Sequence, residues 1–72
     1  MRRKHLDSTA IASAGYDPAT ALLELEFTSG EVYQYFAVPN AVYGGLVGAD
    51  SAGRYFRDHI RDVYPSRHVR RE

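Results

Sequence analysis

Glu31-Val32-Tyr33-Gln34-Tyr35-Phe36-Ala37-Val38-Pro39 is the stretch whose reading decides the fold. Aromatic and β-branched residues crowd its first part, which is strand chemistry. Pro39 then ends the ladder, because proline has no backbone N–H and a fixed φ, and the same properties suit it to open a helix. Everything before Pro39 reads as strand and turn, and everything after it as helix.

Working back toward the N-terminus, Thr28-Ser29-Gly30 is a reversal, with Gly30 able to take a positive φ. Before it, residues 21–27 alternate: Leu23, Leu25 and Phe27 point to one face, Glu24 and Glu26 to the other. The length of the loop fixes the register between the two strands. A three-residue loop sets Leu25 opposite Tyr33 and Leu23 opposite Tyr35, placing both tyrosines on the apolar face. It leaves Gln34 beside Glu24 and Glu26 in solvent, and Val32 and Phe36 on the outer side. A two-residue loop would send the tyrosines to the opposite face. The three-residue loop groups the polar residues of the strand centres, and we read it so. Upstream, Asp17-Pro18-Ala19-Thr20 is a turn, and residues 10–16 form a strand of small residues anchored by Ile11.

Working forward, Val42, Tyr43, Leu46 and Val47 make a helical stripe closed by Gly48. Gly44 and Gly45 cost this helix roughly 1 kcal/mol each relative to Ala and admit close packing on the sheet. Asp50-Ser51 is an N-cap pair for a second helix beginning at Ser51 or Ala52. On its wheel Gly53, Phe56, Ile60 and Val63 share the core arc, and Arg54, Arg57 and Arg61 share a nearly opposite one. Tyr55 and His59 flank the core arc, and Tyr64-Pro65 ends the helix.

The fold expected is therefore α+β: a three-stranded antiparallel β-meander followed by two α-helices packed on one face of the sheet. Residues 1–8 are expected as a flexible basic tail, 9–65 as the single domain, and 66–72 as a basic C-terminal tail. A chain of 72 residues buries only about 60% of its unfolded surface, so its core is lean and its six Tyr and three Phe supply much of it. Without cysteine there are no disulfides, thiol nucleophiles or thiolate metal sites, which is compatible with a reducing cytoplasm. No apolar run approaches the roughly 20 residues of a membrane span, and Met1-Arg2-Arg3-Lys4 leads into polar sequence, not a signal-peptide core. A cytoplasmic protein without membrane contact is expected.

The net charge is zero, but its distribution is uneven. No Lys or Arg occurs from Leu6 to Gly53, a span that holds Asp7, Asp17, Glu24, Glu26, Glu31 and Asp50. Such asymmetry marks either a basic face for an anionic partner or a chain that neutralises itself when its ends fold over its middle. Both readings stay open at this level.

The order Gly15-Tyr16-Asp17-Pro18, Leu-Glu-Leu-Glu-Phe, Ser29-Gly30, Val32-Tyr33-Gln34-Tyr35-Phe36, Val38-Pro39, Val42-Tyr43, Ser51-Ala52-Gly53-Arg54-Tyr55-Phe56 and His59-Ile60-Arg61-Asp62-Val63-Tyr64-Pro65 resembles the KTSC domain. Tyr33 and Tyr35 stand for that family's tyrosine-x-tyrosine element, and Ser51, Gly53 and Phe56 for its Ser-x-Gly-x-x-Phe element. The resemblance covers roughly residues 8–69 and implies a short bacterial module, found alone and at the C-terminus of some lysyl-tRNA synthetases. That context implies RNA as a partner, and the family brings no catalytic residues.

The side chains themselves favour a non-enzymatic binding module. Arginines pair bidentately with phosphate, and tyrosines add base stacking, so RNA or single-stranded nucleic acid is one expected partner. The candidate contacts are Arg54, Arg57, Arg61, Tyr33, Tyr35, Arg67 and Arg70. The alternative is a protein-interaction or self-association module using a sheet edge or face. His59 lies near Tyr55 and Asp62 in sequence, but His5 and His68 sit in the tails and no zinc-type or paired-carboxylate spacing occurs. No serine sits in a nucleophile elbow. No metal, cofactor or catalytic residue is expected.

Overall fold

The computed structural model describes residues 2–71, with side chains through Val69. Its core is the expected one. Strands β2 (Ile11–Asp17), β3 (Leu22–Phe27) and β4 (Glu31–Tyr35) form an antiparallel meander, followed by helices α1 (Asn40–Gly48) and α2 (Ala52–His59). The strand count is five, not three. Lys4–His5 pairs with Ser13 and Ala14 as β1, and Ser66–Arg71 pairs with β4 as β5, giving one sheet in chain order. Neither end carries an apolar alternation, and the partners' backbone and polar side chains recruit both into the sheet.

The hairpin register is that of the three-residue loop: Leu25 faces Tyr33, Glu24 faces Gln34 and Leu23 faces Tyr35. Gly30 takes φ 96° and its N–H donates to the Phe27 carbonyl, so the turn needs a residue without a Cβ. In β2 the pairing slips between Ile11 and Ser13, a bulge that lets Ile11 and Ala14, three residues apart, both point into the core. The core joins Ile11, Ala14, Leu23, Leu25 and Tyr35 of the sheet to Val38, Leu46, Ala52 and Ile60 of the helical layer. Val32 lies on the outer side, as that register requires, yet it is 1% exposed, beside Arg3, His5 and Val69 from the two ends of the chain.

Pro39 precedes α1 with φ −63°, and the expected stripe packs inward, with Leu46 fully buried. Ser51 caps α2 by accepting from the Arg54 N–H at 3.2 Å. The helix stops earlier than its periodicity predicts. Ile60 leaves helical geometry, its N–H and that of Arg61 both donate to the Phe56 carbonyl, and Asp62 takes φ 61°. β-branched Ile60 and Val63 and the turn-favouring Asp62 make this a poor place to continue a helix. Ile60 still reaches the core, but Val63 swings out to 59% exposure, so it is not a core residue.

The glycine pair of α1 also differs from expectation. A Cβ at Gly44 would meet nothing within 4 Å, whereas one at Gly45 would strike the Tyr55 ring of α2. The close approach is thus between the two helices, not between helix and sheet.

Candidate nucleic-acid interface

The capped start of α2 fixes which side chains it turns to solvent. Arg54 and Arg57 are exposed along the helix, and Arg61, also exposed, lies one residue past its C-cap Ile60. The carboxylates that Arg57 and Arg61 meet are their sequence neighbours, with Nε to Oδ1 of Asp58 at 3.5 Å and Nε to Oδ2 of Asp62 at 3.9 Å. Exposed pairs of this geometry contribute almost nothing to stability, so the guanidiniums are held only loosely.

Beside Arg54, at the joint between the helices, lies a hollow of about 270 Å³ lined by Asp50, Ser51, Arg54, Tyr55, Asp58 and His59. The Tyr55 and His59 rings sit there with centroids 4.4 Å apart and planes tilted by 41°. Tyr55 is half-buried against Gly45, while His59 is exposed. Sequence reasoning treated both as flanking the core. Their spacing of four was the available signal, since it puts two rings on one helical face.

Tyr33 and Tyr35 lie elsewhere. Tyr35 is 6% exposed and meets Phe56 edge-on at 5.6 Å, and burial, then the neighbouring Tyr33, pushes its hydroxyl from 10.0 up to about 12. Tyr33 is half-buried among Phe27, Tyr35 and His68, with ring centroids at 5.8, 6.4 and 4.8 Å. Neither offers a free face for a base: both are packing residues on the helical side of the sheet.

Arg67 points to the opposite face. Its Nη2 donates to Gln34 Oε1 at 2.9 Å, Gln34 Nε2 donates to Glu24 Oε1 at 3.0 Å, and Arg3 Nη1 meets Glu24 Oε2 at 2.7 Å. Glu24 was expected in solvent but is only 8% exposed, with one oxygen bonded by Arg3 and the other by Gln34. A second hollow, of about 520 Å³, opens on this face between Arg3, His5, Glu24, Val32, Gln34 and Val69. Arg70 stands opposite Val32 in the register, and its side chain lies outside the described residues. The six candidates whose side chains are described are thus divided: Arg54, Arg57 and Arg61 stay on the helical side, Tyr33 and Tyr35 are packed inside, and Arg67 faces away.

Among the described residues no three His, Cys, Asp or Glu side chains are grouped to hold a metal ion, and no helix is long and apolar enough to cross a membrane.

Comparison with known proteins gives this arrangement a family. An uncharacterised protein of Stutzerimonas stutzeri is 44% identical over 70 residues, which is 97% of this chain and 93% of that one. A lysine–tRNA ligase of Nostoc sp. is 42% identical over 58 residues, which is 81% of this chain but only 10% of the ligase. The crystal structure of a KTSC domain protein from Yersinia pestis superposes with a TM-score of 0.93 at 33% identity, covering 96% of this chain and 97% of that one. The family model of the KTSC domain matches residues 7–64, and the chain belongs to the KTSC domain family.

Proposed function

We propose that this chain is a non-catalytic binding module that takes single-stranded RNA along α2, with Arg54, Arg57 and Arg61 on phosphates and the Tyr55–His59 pair against a base. The observation that carries the reading is an open hollow that holds two rings beside Arg54, at the start of a segment that also exposes Arg57 and Arg61. Guanidinium binds phosphate bidentately, and stacking on an aromatic ring is worth roughly 1–3 kcal/mol per base, so this set suits unpaired strands better than duplexes. A lysine–tRNA ligase carries a related segment, which supports RNA over other polyanions. Asp58 and Asp62 lower the local positive charge and set an upper limit on affinity.

A fluorescent single-stranded RNA titrated with the protein at several salt concentrations tests this. Three phosphate contacts give a slope of log K against log salt of roughly −2, so binding should fall roughly fifteenfold between 50 and 200 mM salt. Arg57→Ala with Arg61→Ala should flatten that slope, and Tyr55→Leu should weaken binding without changing it. A titration indifferent to these substitutions removes the reading. The other use of such a module, contact with a protein through a sheet edge, is supported by strand β5 and draws on different residues.

A further inference from the structure

The two edges of the sheet are unequal. β1 is two residues long and begins with a lysine, the usual protection of an edge against further pairing. β5 runs for six residues, Ser66 to Val69 are all exposed, and among the described residues it pairs with β4 alone. Its outer side therefore presents backbone N–H and C=O groups to solvent in strand geometry. The pairing slips between Val32 and Tyr33, which opposes only part of the strand to further addition.

A second observation points to the same place. Among the described residues the large apolar side chains left exposed are Phe36, Val63 and Val69, and all three lie on this strand or near its start. Phe36 donates its N–H to the Pro65 carbonyl just ahead of β5, Val63 precedes that proline by two residues, and Val69 lies on the strand. Val69 is on the edge strand itself and the other two lie near its start, so an incoming strand would meet apolar side chains as well as free backbone groups.

Charge chooses the occupant. By sequence β5 carries Arg67, Arg70 and Arg71, and the nearby acid Glu31 is already engaged by His68 Nε2 at 2.7 Å. Arg67 bonds to a neutral amide, and among the described residues no carboxylate pairs with it. Antiparallel pairing of β5 with β5 of a second copy, over its full length, would set Arg67 opposite Arg70, a like-charge pair that destabilises a ladder. We propose that the open edge of β5 docks an extended acidic segment of another protein, alternating Glu or Asp with aliphatic residues, which adds as a sixth strand. This site is separate from the α2 face and stands or falls independently of it.

The probe is the blocked heptapeptide Glu-Val-Glu-Val-Glu-Val-Glu with the full chain, followed by backbone NMR and amide hydrogen exchange. The expected result is slowed exchange and shifted amides along residues 66–71 with α2 unchanged, and binding that weakens with salt. Arg67→Glu should weaken binding by about tenfold or more. Arg67→Gln serves as the milder variant, and exchange in β2–β4 reports whether each variant keeps its fold. Equal binding of the lysine-for-glutamate peptide, or shifts confined to α2, would overturn the proposal. So would protection of β5 that grows with protein concentration alone, showing a second copy as the occupant, or the same protection produced by single-stranded RNA.

Discussion

Gly44→Ala and Gly45→Ala are adjacent, chemically identical substitutions whose outcomes should have opposite signs. Both sit inside α1, where replacing Gly by Ala gains roughly 0.5–1 kcal/mol through helix propensity and the stiffer unfolded chain. At Gly44 the new methyl meets nothing within 4 Å, so the whole gain should appear. At Gly45 it would overlap the Tyr55 hydroxyl and lie 2.6 and 2.8 Å from two ring carbons, closer than any tolerable contact. The backbone need not move, because the obstacle is the far end of one side chain, but Tyr55 must leave its seat. Overpacking of this kind costs roughly 1–3 kcal/mol, which exceeds the propensity gain. The two variants should therefore differ by about 2 kcal/mol in urea unfolding, or roughly 8–16 °C in Tm for a domain of this size. The cause is isolated by repeating Gly45→Ala in a Tyr55→Ala background, where the substitution should turn stabilising. Gly45→Ala proving as stabilising as Gly44→Ala in the parent chain would refute the helix–helix contact and the placement of the Tyr55 ring with it.

Burial raises Tyr35 from 10.0 to about 12, so the fold favours the neutral hydroxyl. Its contribution is complete below about pH 10 and is lost as pH rises through about 12, a difference of about 2–3 kcal/mol. Urea midpoints for the parent should decline across that window more steeply than those of Tyr35→Phe, and equal declines would contradict the burial. Ser51→Ala removes the cap bond to the Arg54 N–H and should cost about 1 kcal/mol by thermal melting. Arg3→Met leaves one oxygen of the 8% exposed Glu24 without its guanidinium and should cost about 1–3 kcal/mol in urea unfolding, whereas a substitution in an unstructured tail would cost nothing.

What could be read from the sequence was whatever repeats with a period. Leu23, Leu25 and Phe27 against Glu24 and Glu26 defined β3, and the length of Thr28-Ser29-Gly30 then fixed the pairing of Tyr33 and Tyr35. Those tyrosines landed on the packed face, as that register requires. Ser51 was legible as a cap because few side chains reach a free helical amide. The features that escaped have no period. The bulge after Ile11 depends on matching two apolar residues three apart to one face, and the early end of α2 depends on Ile60 and Asp62 competing with a wheel that continues smoothly through Val63. β1 and β5 escaped for a related reason: Ser66-Arg67-His68-Val69 reads as a polar tail when its partners are unknown. Of the candidate site, the three arginines were legible from spacing, but the hollow beside Arg54 lies where the chain between the helices meets α2, which no period in the sequence marks.

The uneven charge distribution resolves into two groups of cations with different roles. Arg3 and His68, from the two ends, bond to Glu24 and Glu31 of the central strands, so both ends fold onto the acidic middle, and Arg3 does so as an ion pair. That closure helps to hold edge strands too polar to be held by burial, and it engages Arg3 in the fold. Arg54, Arg57 and Arg61 take no part in it. The carboxylate contacts of Arg57 and Arg61 are with sequence neighbours in solvent, where a pair is screened and nearly isoenergetic with separated ions. An incoming phosphate would therefore displace little, whereas at Arg3 it would have to break a partly buried ion pair. A search for RNA should begin on α2, because a phosphate can bind there without breaking the partly buried Arg3–Glu24 pair that fastens the sheet.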